Sequence, residues 1–135
     1  MSMFNEFETA SLKKMSLKKV YYLSTCSTCK RIMSGLGELL TEFEKHDIKG
    51  MPLTDDQLNE LRFLSGSYEA LFSRKSMKFR SLGLSNRDLA EDDYRKLILE
   101  DYTFLKRPVF LVENRVFIGN SEKVVTELSN LLKSR

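Results

Sequence analysis

Both cysteines of the chain fall in one tetrad, Cys26-Ser27-Thr28-Cys29, at the seam between a short apolar run, Val20-Tyr21-Tyr22-Leu23, and a segment with helical periodicity. A C-x-x-C at such a seam constrains the backbone. With two residues between them on the first turn of a helix, two thiols approach to disulfide distance without strain. Cys29, Ile32, Met33, Leu36, Leu39, Leu40 and Phe43 recur at three- and four-residue steps, which predicts a helix from Thr28 to about Phe43 with Cys29 on its packing face. Cys26 then stands at an exposed helix start, where unpaired amides and the positive end of the dipole bring a thiol pKa into roughly the 3.5 to 7.5 range. The spacing therefore predicts an attacking thiolate, Cys26, and a buried resolving thiol, Cys29, with Lys30 and Arg31 adding positive charge beside them. Two other readings of the pair stay open. One is a structural zinc site, for which the chain offers His46 and no second cysteine pair. The other is two inert cysteines that share this spacing by chance.

The length of 135 residues fits one domain with a core large enough to need no disulfide staples, leaving the thiols free for chemistry. Twenty-two basic against nineteen acidic residues, a net charge of +3, is too balanced to argue for direct nucleic-acid binding, although a mild surplus favours anionic substrates or partners. Residues 1–14 carry Glu6 and Glu8 and lack the apolar core of a signal peptide, and no run approaches the roughly 18 apolar residues of a membrane span. The expectation is a cytoplasmic protein without a membrane segment. In that reducing compartment a C-x-x-C reads as catalytic rather than structural.

Residues 1–14 show no sustained period and are read as a tail outside the fold, with the domain over residues 15–135. Lys18 to Leu23 reads as a buried strand, and Glu44 to Met51 as a second strand closed by Gly50 and Pro52, with His46 on its surface. Helical patterns occupy an insertion over about residues 53–104. Its first helix starts at a capping box, Thr54-Asp55-Asp56-Gln57, and ends at Gly66; a short amphipathic helix follows through Tyr68, Leu71 and Phe72; the last spans Asp92 to Asp101. Val109 to Val112, a turn at Glu113-Asn114-Arg115, and Val116 to Ile118 read as an antiparallel hairpin, and a final helix starts near Ser121. The resulting class is α/β: a four-stranded mixed sheet with flanking helices and a helical insertion between the second and third strands, in the order of a thioredoxin-like (glutaredoxin-like) fold.

Three segments resemble the arsenate reductase (ArsC) family, a thioredoxin-like branch that includes glutaredoxin-coupled arsenate reductases and Spx transcription regulators. They are Cys26-Ser27-Thr28-Cys29-Lys30, Leu71-Phe72-Ser73-Arg74-Lys75 and Leu105-Lys106-Arg107-Pro108-Val109. The resemblance spans about Lys18 to Leu132. It implies that Cys26 is the nucleophile, that Arg74 and Arg107 bind an anion near it with Lys30 alongside, and that Pro108 is a cis-proline facing the thiol. An arginine can grip an oxyanion bidentately, and Arg-Pro ahead of a strand suits a cis peptide. The chain departs from the arsenate reductases at two places. Gly119-Asn120 stands where they carry a third arginine, and Cys29 where they carry a serine, a feature shared with Spx-like regulators. The function expected is thiol-disulfide oxidoreduction without a metal or tightly bound cofactor, with glutathione or a thioredoxin- or glutaredoxin-type protein as reductant. The alternatives are an Spx-like redox regulator that binds RNA polymerase, and a true arsenate reductase.

Overall fold

A computed structural model describes residues 18–134; the tail expected over residues 1–14 lies outside the described residues. The sheet has the order β2-β1-β3-β4, built from β1 (Lys18–Tyr22), β2 (Glu44–Asp47), β3 (Val109–Val112) and β4 (Arg115–Ile118). β1 pairs parallel to β2, with Tyr21 opposite His46, and antiparallel to β3, which pairs antiparallel to β4. This is the mixed four-stranded sheet that the sequence predicts. Because strand side chains alternate between faces, β1 sends Val20 into one core and Tyr21 into the other. The first core joins Val20, Phe110 and Phe117 to α1 (Ser27–Leu36) and α5 (Glu122–Lys133); the second joins Tyr21 and Val109 to helices between β2 and β3.

Those helices are α2 (Asp55–Ser65), α3 (Met77–Ser81) and α4 (Glu91–Glu100), with three short 3₁₀ turns among and after them. Thr54 Oγ1 accepts from the Gln57 amide at 3.1 Å and the Gln57 side chain accepts from the Thr54 amide at 3.1 Å, the capping box read from the sequence. Gly66 closes α2 in the left-handed conformation, φ 99°, where a residue without Cβ carries no penalty.

Several expectations need correction. The first helix ends at Leu36, because Gly37 takes φ 52°, and a 3₁₀ turn over Gly37–Leu40 carries the same apolar stripe onward. β2 stops at Asp47, four residues short of Met51, with Ile48 donating one more hydrogen bond to the Tyr22 carbonyl. The helix expected through Tyr68, Leu71 and Phe72 is a single 3₁₀ turn, Glu69–Leu71, and α3 was not foreseen. The hairpin loop has two residues rather than three: Glu113 takes φ 58° and Arg115 already belongs to β4. His46 is buried, not on the surface. Its ring lies 5.0 Å from that of Tyr21, and the Met51 carbonyl accepts from Nε2, which satisfies one of the two ring nitrogens.

Candidate functional site

Cys26 is the N-cap residue of α1, with extended backbone angles (φ −93°, ψ 115°), and its amide donates to the Leu23 carbonyl at 3.0 Å. The loop before it is tied down by Asp47, whose Oδ1 accepts from the Ser24 and Lys49 amides at 3.2 and 3.1 Å. Cys26 is partly exposed and Cys29, one turn further on, is fully buried; both are free thiols. Burial pushes the Cys26 thiol up, but the amide and thiol of Cys29, the amide of Thr28 and the charge of Arg107 outweigh it. The net effect holds Cys26 below the ordinary 9.0. Cys29 moves the other way. Burial, together with the hydrogen bond to Cys26 and its charge, pushes it to about 11 in spite of the Leu23 backbone and Arg107. The two thiols are therefore electrostatically unequal in the sense expected from the sequence.

A cavity of about 610 Å³ opens beside Cys26. One wall is made where two remote segments meet: Phe72 and Leu105 form an isolated antiparallel bridge, the Ser73 amide donates to the Phe104 carbonyl at 2.7 Å, and the Lys106 amide to the Leu71 carbonyl at 2.8 Å. Beneath it Phe72 stacks on Phe104 (5.3 Å, 11°) and tilts against Tyr94 (4.8 Å), a packed aromatic base that fixes both segments. Arg74 and Arg107 are thereby delivered to one cavity with Cys26. Arg74 Nη2 donates to the Tyr94 hydroxyl at 2.6 Å and pairs with Glu69 at 3.2 Å, and its guanidinium lies over the Phe72 and Tyr94 rings. Arg107 makes one long hydrogen bond, 3.4 Å, to the Tyr102 carbonyl. The Arg107-Pro108 peptide is cis.

Neither Lys30, which is exposed on α1, nor Pro108 is among the residues that line this cavity. Lys75, Lys106, Ser73 and Thr28 line it without having been singled out. The signal available for the two lysines was the pair of basic doublets, Arg74-Lys75 and Lys106-Arg107. Gly119 and Asn120 complete the opposite wall, where Gly119 holds φ 92° and donates to the Pro108 carbonyl at 2.9 Å. Among the described residues no group of three or more His, Cys, Asp or Glu side chains is gathered as a metal ion would need, and no helix is long and apolar enough to cross a membrane.

Against known proteins, the model described as ArsC family matches residues 21–128. The chain is 28% identical over 107 residues to the global transcriptional regulator Spx 2 of Bacillus anthracis, covering 78% of this chain and 82% of that protein. It is 29% identical over 99 residues to the global transcriptional regulator Spx of Streptococcus agalactiae, covering 73% and 72%. Among solved structures, the arsenate reductase from Vibrio cholerae superimposes with a TM-score of 0.70 at 17% identity, covering 83% of this chain and 97% of that one, a likeness of fold.

Proposed function

The chain belongs to the ArsC family, and we propose that within it this protein is a thiol-disulfide oxidoreductase with Cys26 as nucleophile and Cys29 as resolving thiol. One observation carries the reading: the thiol held low in pKa faces a cavity of about 610 Å³, and the thiol held high is buried directly behind it. An intramolecular switch alone requires no cavity of that size, which lies within the roughly 300–1,000 Å³ of sites for organic ligands. In the proposed cycle the Cys26 thiolate attacks a substrate disulfide and expels one thiol, and Cys29 then attacks Cys26 and expels the second. Arg107 stabilises the thiolate, and Arg74 and Arg107 face the anionic substrate. Thiol exchange needs no metal or bound cofactor; a small thiol such as glutathione, or a thioredoxin- or glutaredoxin-type protein, returns the electrons. Trapping tests this. A Cys29→Ser variant is expected to accumulate a mixed disulfide on Cys26 when exposed to a disulfide substrate, and its absence under conditions where the unaltered protein turns over would overturn the assignment.

A second reading is favoured by the names of the sequence relatives, global transcriptional regulators: a redox-responsive regulator that uses the same Cys26-Cys29 pair to control its hold on RNA polymerase. Capture of polymerase that changes on oxidation, together with no turnover of disulfides, would favour it. Arsenate reduction is a weaker third reading, because two guanidinium groups face the cavity, Arg74 is already paired with Glu69, and a glycine occupies the remaining wall.

A further inference from the structure

The rim of the Cys26 cavity carries more positive charge than activation of the thiol uses. Besides Arg74 and Arg107 its lining includes Lys75 and Lys106, four cations with no carboxylate among the lining residues. Glu69 compensates Arg74 alone. Among the described residues, neither lysine nor Arg107 takes part in an ion pair. The pairing of Phe72 with Leu105 brings the doublets together, so both lysines line one cavity although α3 and α4 separate them in sequence. A lone oxyanion would fill a small part of about 610 Å³, whereas a tripeptide-sized molecule suits it. Like charges gathered without counter-charges focus a field that draws in and orients ligands of opposite sign.

We propose that Lys75 and Lys106 make this cavity selective for small organic disulfides whose halves carry carboxylates, an inference that rests on Cys26 being the attacking thiol. The step balances without a further reactant. The Cys26 thiolate attacks one sulfur of R–S–S–R, forming the Cys26–S–S–R bond and breaking the substrate S–S bond, and the departing thiolate takes up a proton from solvent. Cys29 gives up its proton and attacks the Cys26 sulfur, closing the Cys26-Cys29 disulfide and releasing the second thiolate. Two electrons and two protons pass from the dithiol to the substrate, and the lysines hold the carboxylates of the halves as they bind and leave.

The experiment compares glutathione disulfide, which is net anionic, with neutral bis(2-hydroxyethyl) disulfide and cationic cystamine. Each oxidation rate of the reduced full chain is divided by the rate of the same disulfide with dithiothreitol, which removes intrinsic differences in reactivity. The expected order is anionic, then neutral, then cationic. Exposed charges of this kind each count for about 1.4- to fivefold, so Lys75→Gln with Lys106→Gln should lower the anionic-to-neutral ratio by about two- to 25-fold. A Lys133→Gln control, on the last turn of α5, should leave that ratio alone. Raising salt from about 0.01 M to about 1 M shortens the screening length from about 30 to about 3 Å and should bring the ratio of the unaltered protein toward one. A normalised ratio near one at low salt, or a ratio that survives loss of both lysines, overturns the selectivity while leaving Cys26 as the nucleophile. Equal losses with all three disulfides in the double variant also overturn it, since the lysines would then act only through the thiolate. Failure of every disulfide to form an adduct on Cys26 overturns the thiol reading and this proposal together.

Discussion

The inequality of the two thiols leads to a quantitative expectation for alkylation of the reduced protein. Cys29 sits at about 11 and Cys26 below 9.0, so the difference exceeds 11 − 9.0, or 2 units. At neutral pH the thiolate fraction of Cys26 therefore exceeds that of Cys29 by at least about 100-fold, since only the thiolate reacts. Part of this advantage is returned: a thiolate of higher pKa is the better nucleophile, with a Brønsted slope of about 0.4–0.5, which over two units restores roughly tenfold to Cys29. Cys26 should then alkylate at least about tenfold faster, before counting the complete burial of Cys29, which excludes the reagent further. Pulsed iodoacetamide labelling with mass-spectrometric peptide mapping, from about pH 6 to about pH 10, measures this directly. The Cys26 rate should pass half of its plateau below pH 9, while the Cys29 rate still climbs nearly tenfold per pH unit at the top of the range. The Cys26→Ser variant sharpens the test. Burial is the largest cause of the Cys29 shift, ahead of Cys26 itself, so Cys29 should remain slow when Cys26 is gone. Comparable labelling of both thiols at neutral pH, or Cys29 labelling first, would refute the electrostatic reasoning and reverse attacker and resolver.

The Tyr21 hydroxyl is buried without a hydrogen-bond partner among the described residues, so Tyr21→Phe should be neutral or stabilising by about 1 kcal/mol in urea unfolding, because an unsatisfied buried polar group costs about 1–3 kcal/mol; clear destabilisation would contradict this. Asp101 caps the turn before β3, accepting from the Thr103 amide at 2.9 Å and hydroxyl at 2.7 Å and pairing with Lys78; Asp101→Asn should cost about 1–2 kcal/mol. Burial raises the Asp101 carboxyl, but Lys78 and Thr103 outweigh it and hold it below 3.8. Its stabilisation is therefore full above the unfolded value and lost as pH falls through the folded one, so the gap between unaltered protein and variant should narrow below about pH 4 in urea titrations. Gly119→Arg has open space for its Cβ but a φ of 92°; the variant should fold with a loss of about 1–2 kcal/mol in thermal unfolding. Any gain in steady-state arsenate reduction, assayed with glutathione and glutaredoxin, should fall short of the one to two decades that a well-placed charge-assisted contact of about 1.5–3 kcal/mol would give.

What could be read from the sequence was what repeats along it. The stripe from Cys29 to Leu36 buries one face of α1, strand alternation sends Val20 and Tyr21 to opposite cores, and the Thr54-Gln57 spacing is a capping box. The apolar period ran on past Leu36 because the 3₁₀ turn keeps Leu40 buried, so hydrophobicity alone hid a break that Gly37 marks. His46 was misplaced for a related reason: a lone polar residue on a strand reads as surface unless its partner is known, and that partner is the Met51 carbonyl, which no residue type announces. The wall of the cavity is the deepest case. Phe72 and Leu105 meet in a single bridge, too short to impose alternation, and α3 and α4 separate the two segments in sequence. Arg74 and Arg107 were found because each stands in a motif that resembles a family. Lys75 and Lys106 are their immediate neighbours in sequence and line the same cavity. A basic doublet on an exposed loop is ordinarily solvated, and only its apposition to a second doublet beside a thiol gives the four charges a common target.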